Sequence, residues 1–154
     1  MNPNFWKLSQ GANHFKLDAL LDSIKHGYVY VHKDTRAKAT SSKSQAQDFI
    51  DAPIGDYFYL THGNAGIYAL CQFSGPANLF SSQGDGWLDR PFRHIKSSVS
   101  NAQYEGPHKW WAPNDNSTFT AVPDVEVPMF EQHILRPYFG IILADFGISN
   151  SPHA

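Results

Sequence analysis

The residues of this chain best suited to chemistry are its aromatic side chains and the small polar and basic residues near them. Of 154 residues, 14% are Phe, Trp or Tyr. Tyr28 and Tyr30 alternate along one apolar run, and Trp110 and Trp111 are adjacent in a run rich in polar residues and proline. Aromatic rings stack on flat ligands, while hydroxyl and amide groups recognise a ligand's polar edge. These residue types favour the binding of a nucleobase.

Motifs of enzymes and metal sites are missing from the sequence. It has no glycine-rich phosphate loop, no nucleophile elbow and no His-Glu-x-x-His pair. The eight histidines are scattered, and none form a pair with metal-ligand spacing on one predicted element. The single cysteine, Cys71, lies in an apolar run, which predicts a buried thiol. We therefore expect a binding protein rather than an enzyme, with no metal and no cofactor.

Basic residues form two groups along the chain, although the formal net charge is −2. Residues 1–111 hold 11 Lys and Arg against 9 Asp and Glu, whereas residues 112–154 hold 1 against 5. A local basic surface can bind phosphate even when the total charge is negative. For any one of these residues an ordinary solvated surface is an equally good explanation. The predicted phosphate contacts are Lys33, Arg36, Lys38, Arg90, Arg93 and Lys109.

The sequence gives no sign of a membrane segment or a secretion signal. The first residues, MNPNFWKLSQG, lack the apolar core of a signal peptide. No apolar stretch approaches the ~20 residues that a membrane-spanning helix needs. With a lone cysteine that cannot form an internal disulfide, these features predict a cytoplasmic protein.

Hydrophobic periodicity predicts the elements of the N-terminal third. NFWKL (4–8) is a candidate strand. It is followed by an amphipathic helix with Asn13 as candidate N-cap and Gly27 as its left-handed stop. YVYVH (28–32) alternates as a strand does. The apolar face of the helix would comprise Leu17, Leu20, Leu21 and Ile24.

The middle and the C-terminal part are predicted to consist mainly of strands. SKSQAQDFI (42–50) favours a short helix before Pro53. DYFYLTH and GIYALCQF, joined by Gly63-Asn64-Ala65, favour a hairpin. Later candidates are a strand over 90–99, a strand over 117–123, a helix over 127–137 between two prolines and a last strand over 138–143.

Together these elements predict one α+β domain over residues 1–145, with 146–154 as a tail or the start of a linker. Strands follow one another mostly as hairpins, and no internal repeat or domain boundary is visible. This pattern favours a small, strongly bent β-sheet or barrel with two to three flanking helices.

The order of these motifs resembles the EVE domain and its relative the YTH domain, which belong to the PUA-like group of β-barrels. The resemblance covers about residues 4–111. It lies in NFWKLSQG, the helix that ends in glycine, the aromatic strand, the second helix and the hairpin IGDYFYLTHGNAGIYALCQF. It implies a PUA-like barrel in which Gly55-Asp56 turns the chain into one strand and Gly66 begins the partner strand.

The resemblance also implies a function. Such domains bind DNA or RNA, hold a methylated or hydroxymethylated base in an aromatic pocket, and accompany or are fused to a nuclease in modification-dependent restriction. Ser9 and Gln10 lie where YTH-type domains contact the base edge, with Asn13 close by. Relatives often carry a tryptophan shortly after the first helix, where this chain has tyrosines. The predicted pocket residues are Trp6, Ser9, Gln10, Asn13, Tyr28, Tyr30, Trp87, Trp110 and Trp111.

Several of these residues have ordinary structural explanations as well. Turn formation or helix capping accounts equally well for Ser9 and Asn13, and the core is the favoured place for Trp6. Because Trp110 and Trp111 are adjacent, we expect one to pack and the other to be available to a ligand. Two other functions stay open: a pocket for a nucleoside or similar small aromatic compound, and a protein-interaction module built on the paired tryptophans.

Overall fold

The computed structural model of the chain describes residues 2–11, 16–38, 42–63, 66–79, 81, 84 and 86–148. Within these ranges the chain forms one curled, half-barrel sheet of six strands with helices on both faces, and the predicted α+β class is confirmed. The strands are β1 (Phe5–Ser9), β2 (Tyr28–His32), β3 (Tyr57–Thr61), β4 (Ile67–Phe73), β5 (Trp87–Ser97) and β6 (Phe119–Ala121). The helices are α1 (Leu17–His26), α2 (Gln45–Asp51) and α3 (Val127–Phe130), which continues as a π-helix over Glu131–Phe139.

The strands follow the order β2-β5-β4-β3-β1-β6 across the sheet. β1 and β3 are parallel, with Phe5 opposite Tyr57, and the other strand pairs are antiparallel. The long β5 pairs with β2 through its first half and with β4 through its second half. A register shift at Leu70–Cys71, opposite the second half of β5, is the kind of irregularity that bends a sheet. β2 and β6 therefore form the two ends of a curled sheet.

Two hydrophobic cores lie on opposite faces of this sheet. Side chains of a strand alternate between faces, so Trp6 and Leu8 point to the core covered by α1 and α2. Phe5 points to the other core, which is covered by α3 and the C-terminal segment. Because both faces are covered, every residue of β1 is buried. Cys71 lies in the first of these cores, as its apolar neighbours predict.

The turn into β3 is held by a buried carboxylate. Gly55 has φ +100, a conformation that favours glycine, and it places Asp56 beneath the start of β1. The carboxylate of Asp56, which is 3% exposed, accepts hydrogen bonds from the Asn4 backbone N–H (3.1 Å), from Asn4 Nδ2 (3.0 Å) and from Trp6 Nε1 (2.9 Å). The Gly55-Asp56 pair thus introduces a barrel strand, as expected.

Most predicted elements of the first two thirds are present. The strand over 28–32, the second helix and the hairpin are confirmed, and Gly27 ends α1 with φ +75. In α1 the buried face is narrower than predicted, because Leu20 is buried but Leu17 and Leu21 are about half exposed. β5 begins at Trp87, before the predicted residue 90, since the register with β2 extends to His32. Asn13 lies outside the described residues.

The prediction for the C-terminal part is wrong in two respects. The helix does not stop at Pro137 but continues as a π-helix to Phe139 and ends at Gly140, which has φ +64. The apolar run over 138–143 forms no strand. Tyr138, Phe139 and Leu143 pack against the sheet face that carries Phe5, so the apolar character of the run reflects burial rather than strand pairing.

The first residues of the predicted tail, 146–148, belong to the fold. Leu143–Phe146 forms a 3₁₀ turn, and Phe146 and Ile148 pack into the core beside α3. Residues 149–154 lie outside the described residues. Among the helices that the structure describes, none combines the length and the apolar character needed to cross a bilayer.

Arg90 is a structural residue, which corrects its prediction as a phosphate contact. Only 1% of its surface is exposed. Its Nε donates to the Gly75 carbonyl (2.8 Å), its Nη1 donates to the Phe49 carbonyl (3.0 Å), and the guanidinium carbon lies 4.2 Å from the Phe73 ring centroid. A guanidinium that is committed to two carbonyls inside the core is not available to a phosphate.

Replacing this buried arginine should therefore destabilise the fold. We expect Arg90→Met to lower the free energy of unfolding by about 2–3 kcal/mol, because two buried carbonyls lose their donor. Arg93→Met is the matched control on the same strand, since Arg93 is exposed, and it should change stability by less than about 0.5 kcal/mol. Urea unfolding measures both values. Equal losses in the two variants would contradict the structural role of Arg90.

Candidate functional site

An open pocket of about 550 Å³ lies between α2, β6 and the segment 108–111. We call it the indole pocket. It gathers tryptophans that are far apart in the sequence, together with lysines predicted as phosphate contacts. Its walls include Trp6, Lys38, Asp48, Lys109, Trp110 and Trp111.

Trp6 forms a fixed wall of the indole pocket. Its ring stacks on Phe119 with centroids 4.4 Å apart and planes 8° from parallel, and its Nε1 donates to Asp56. The residue is only 8% exposed. Trp6 is therefore a core residue, as favoured from the sequence, and it also borders the pocket. A ring held by both stacking and a hydrogen bond gives a ligand a rigid surface.

Trp110 and Trp111 divide their roles as their adjacency predicts. Trp111 is 1% exposed, and its Nε1 donates to Glu126 Oε1 at 2.7 Å. Trp110 is 45% exposed and forms the accessible aromatic face of the pocket. Its carbonyl accepts hydrogen bonds from the hydroxyls of Ser117 (2.5 Å) and Thr120 (2.7 Å). The exposed indole is thus carried by a fixed backbone.

The two lysines of the pocket differ in whether a carboxylate of the protein already pairs with them. Lys38 Nζ lies 5.8 Å from the Trp110 ring centroid, within the range of a cation–π contact. Lys109 Nζ is 2.9 Å from Glu126 Oε2, and hydrogen bonds from Lys109 and Trp111 lower the pKa of Glu126. Among the described residues no carboxylate pairs with Lys38, so Lys38 contributes the positive charge of the pocket rim.

A buried charged cluster lies beneath the segment that carries Trp110. Lys7 is fully buried, and its Nζ donates to the Asp115 carbonyl (2.7 Å) and to Ser117 Oγ (2.9 Å). Asp115 Oδ1 is 2.9 Å from His108 Nε2 at the pocket rim. Burial lowers the pKa of Lys7 to about 8, while Asp115 opposes this shift and Lys38 adds to it.

Gln45 connects the two sides of the pocket and was missed by the sequence analysis. Its Oε1 accepts from the backbone N–H groups of Thr118 (2.7 Å) and Phe119 (2.8 Å), and its Nε2 donates to the Arg36 carbonyl (2.8 Å). Asp48 follows Gln45 by three residues and therefore lies on the same helix face. Ser44 is the N-cap of α2, and its Oγ accepts from the Gln47 N–H. A serine at this position is the local sequence signal that places Gln45 at the first position of the helix.

The other predicted pocket residues lie elsewhere, in what we call the strand-edge cluster. Ser9 lies at the end of β1 on the opposite face from Trp6, because their separation of three residues reverses the direction of a strand side chain. Tyr28, Tyr30 and Trp87 are not among the residues that line the indole pocket. The strand-edge cluster comprises Ser9, Gln10, Tyr28, Tyr30 and Trp87.

Within the strand-edge cluster the side chains differ in accessibility. Tyr28 is 43% exposed, and Trp87 packs edge-on against His32 with centroids 5.1 Å apart. Burial and the nearby Asp89 raise the pKa of Tyr30. Asp89 is itself buried, and its Oδ1 has no hydrogen-bond partner within the described part of the chain.

Gln10 is committed to the fold, which corrects its prediction as a base reader. It is 1% exposed, its Oε1 accepts from the Tyr30 backbone N–H (3.0 Å), and its Nε2 donates to Ser23 Oγ (3.2 Å). The Gln10 side chain therefore joins the end of β1 to β2 and to α1. An amide used in this way cannot also read a ligand without losing these two contacts.

The remaining predicted phosphate contacts are exposed but not all near the pocket. Lys33 and Arg36 are exposed on the segment between β2 and Lys38. Arg93 is exposed on β5, where its Nη2 donates to Gln72 Oε1 at 2.6 Å. Lys33 and Arg36 precede Lys38 on one segment and can extend the basic rim of the indole pocket, whereas Arg93 lies on β5.

A second, larger groove of about 1280 Å³ lies between α1, the start of β4 and residues 97–104. Its lining includes Tyr68, Tyr104 and Tyr138, but no tryptophan and a single basic residue, Lys25. Within the described residues, no three His, Cys, Asp or Glu side chains gather in a way that could hold a metal ion. Of these two hollows, the indole pocket is the better candidate because it has the exposed tryptophan and two lysines at its wall.

Comparison with known proteins shows the fold and leaves the ligand open. No family model and no curated protein matches the sequence. A hypothetical protein from Leishmania major is 13% identical with a TM-score of 0.53, over 85% of this chain and 94% of that one. A protein from Agrobacterium tumefaciens is 11% identical with a TM-score of 0.50, over 97% of each chain. A YTH domain from Zygosaccharomyces rouxii, in complex with N6-methyladenosine RNA, is 15% identical with a TM-score of 0.49, over 84% and 85%.

The buried Lys7 predicts an unusual dependence of stability on pH. Between about pH 8 and the ordinary lysine pKa of 10.5, the unfolded chain keeps a proton that the folded Lys7 has lost. Stability conferred by this group therefore rises with pH in that window, by up to about 1.4 kcal/mol per pH unit. Below pH 8 both states are protonated, and the contribution is constant.

The measurement compares wild type with Lys7→Met by urea unfolding from pH 7 to 10.5. Other groups titrate in both proteins, so the difference between the two free energies isolates Lys7. We expect the wild type to gain stability relative to the variant as the pH rises above 8. A constant difference across this range would contradict the lowered pKa.

Proposed function

We propose that this protein is a nucleic-acid-binding module that holds one unpaired or flipped base in the indole pocket, with a methylated or hydroxymethylated base as its ligand. The supporting observation is the half-exposed Trp110 ring, which lies in an open pocket beside two buried indoles and the Lys38 ammonium. The proposed role is binding and not catalysis.

The shape of the pocket suits a flat ligand. A volume of about 550 Å³ falls within the ~300–1,000 Å³ typical of small-ligand sites, and it exceeds what one base requires. Trp110 supplies a face for stacking, which contributes ~1–3 kcal/mol per base. Trp6 is held by Phe119 and Asp56 before any ligand arrives, so little ordering is needed on binding.

Charge at the rim supports a ligand that carries phosphate. Lys38 Nζ lies 5.8 Å from the Trp110 ring centroid, which places an ammonium group beside the proposed stacking surface. Lys33 and Arg36 are exposed on the same segment and extend this positive charge. Contacts of this kind make affinity fall as salt rises, because bound counterions are released from the nucleic acid.

Recognition of a modified base would come from apolar contact. Burying one added methyl group contributes about 0.8 kcal/mol, which is close to fourfold in affinity. The setting in modification-dependent restriction, beside or fused to a nuclease, and the assignment to EVE rest on the sequence resemblance of residues 4–111. The proposal includes both DNA and RNA as the polymer that is bound.

A second candidate function is the binding of a nucleoside or similar small aromatic compound. The observation that favours it is the near balance of charge in the pocket. Lys109 is neutralised by Glu126, and Asp48 also lines the wall. Salt dependence separates the two functions, since a neutral small ligand binds almost equally well at low and high salt.

The proposed function predicts a loss of binding when the exposed indole is removed. We expect Trp110→Ala to weaken binding of short single-stranded oligonucleotides about tenfold or more, because a stacking face is lost. Tyr28→Ala is the matched control, since Tyr28 is almost equally exposed, at 43% against 45%. Fluorescence anisotropy at two salt concentrations measures the affinities. The central base would be cytosine, 5-methylcytosine, 5-hydroxymethylcytosine, adenine or N6-methyladenine, in DNA and in RNA.

The outcomes of this panel distinguish the parts of the proposal. A loss confined to Tyr28→Ala would move the site to the strand-edge cluster. Equal affinity for modified and unmodified bases would remove the claim of modification sensing. No binding of any oligonucleotide by the wild-type protein at low salt would overturn the nucleic-acid function.

A further inference from the structure

Most polar side chains that line the indole pocket are already hydrogen-bonded within the protein. The two carboxylate oxygens of Glu126 accept from Lys109 and Trp111. The side-chain oxygen of Gln45 accepts from two backbone N–H groups of the β6 segment. His108 contacts a buried carboxylate through its Nε2. These groups position the walls and have little capacity left for a ligand.

Asp48 is the exception. It lines the pocket from α2, and among the described residues no hydrogen bond to its carboxylate is formed. Its backbone N–H and carbonyl are used within the helix region, by Ser44 and Ala52. The nearby Lys43 instead pairs with Asp51, at 2.7 Å. Of the two carboxylates that line the pocket among the described residues, Glu126 accepts hydrogen bonds from the protein and Asp48 accepts none.

The environment of Asp48 also favours a hydrogen bond from a donor group of a ligand to its carboxylate. Burial raises its pKa, with the neighbouring Asp51 acting in the same direction and Lys43 against it. A carboxylate that has lost part of its hydration regains stability when a ligand donates a hydrogen bond to it.

We infer that Asp48 reads the edge of the bound base and that this base carries an exocyclic amino group, as cytosine and adenine do. The inference rests on the proposed function and names the class of base that the pocket would select. An ionised carboxylate accepts a hydrogen bond from the amino group of cytosine. Thymine has a carbonyl in the same position, which would set an acceptor against an acceptor.

The sharpest test compares 5-methylcytosine with thymine. Both bases carry the same 5-methyl group and have the same ring size, so stacking and methyl contacts are matched. They differ at position 4, where cytosine has an amino group and thymine a carbonyl. Either 5-methylcytosine or thymine would be placed in the centre of an otherwise identical single-stranded DNA oligonucleotide.

We expect the wild-type protein to bind the 5-methylcytosine oligonucleotide about tenfold more tightly than the thymine oligonucleotide. Asp48→Asn should reduce this preference to about twofold or less, because an amide both donates and accepts. Asp51→Asn is the matched control on the same helix. It should retain the preference, since Asp51 is exposed and does not line the pocket. Thermal unfolding of each variant checks that the fold is intact.

The outcomes separate this inference from the proposed function. If the wild-type protein binds both oligonucleotides equally and binding still requires Trp110, the inference about Asp48 is overturned and the nucleic-acid function stands. If Asp48→Asn keeps the full preference, another group reads the base edge. If neither oligonucleotide binds, the proposed function itself fails. The comparison of the two bases by wild type requires no variant, so a folding defect cannot obscure it.

Discussion

A carboxylate with 3% exposure needs hydrogen-bond donors in a protein interior, and Asp56 has three. Two come from Asn4, just before β1, and one comes from the indole of Trp6. The backbone of Asp56 also accepts a hydrogen bond from the N–H of Phe73 at the end of β4 (3.0 Å). One residue thus ties β1 to the β3–β4 hairpin and fixes the parallel register that places Phe5 opposite Tyr57.

The shape of the indole pocket follows from this junction. With its Nε1 held by Asp56, the Trp6 ring lies flat against Phe119, and this stack connects β1 to β6. Gln45 then fastens α2 to the same β6 segment through two backbone N–H groups. The backbone of Trp110 is held by Ser117, whose Oγ donates to the Trp110 carbonyl and accepts from the buried Lys7 Nζ. The accessible indole is therefore supported by polar contacts that are themselves buried and paired.

Local sequence signals predicted much of the fold and only part of the candidate site. The β3–β4 hairpin, α2 and the glycine that ends α1 follow from periodicity and capping, and the structure has them. The adjacency of Trp110 and Trp111 correctly predicted that one would be buried. Arg90 and Gln10 were misjudged because a charged or amide side chain in a strand or loop looks exposed. Whether buried hydrogen-bond partners are available to such a side chain depends on residues far away in the sequence.

By itself the sequence determined the α+β class, the helix that stops at Gly27, the aromatic-rich strands and the presence of lysines near tryptophans. These features depend on spacing between near neighbours, which one chain records directly. Only the tertiary structure decided that Trp6, Trp110 and Lys38 share one pocket while Tyr28 and Tyr30 lie elsewhere. The physical reason is that the direction of a side chain is set by strand alternation, and its neighbours are set by sheet order. In this sheet the order brings β1 beside β6 and leaves β2 at the opposite end.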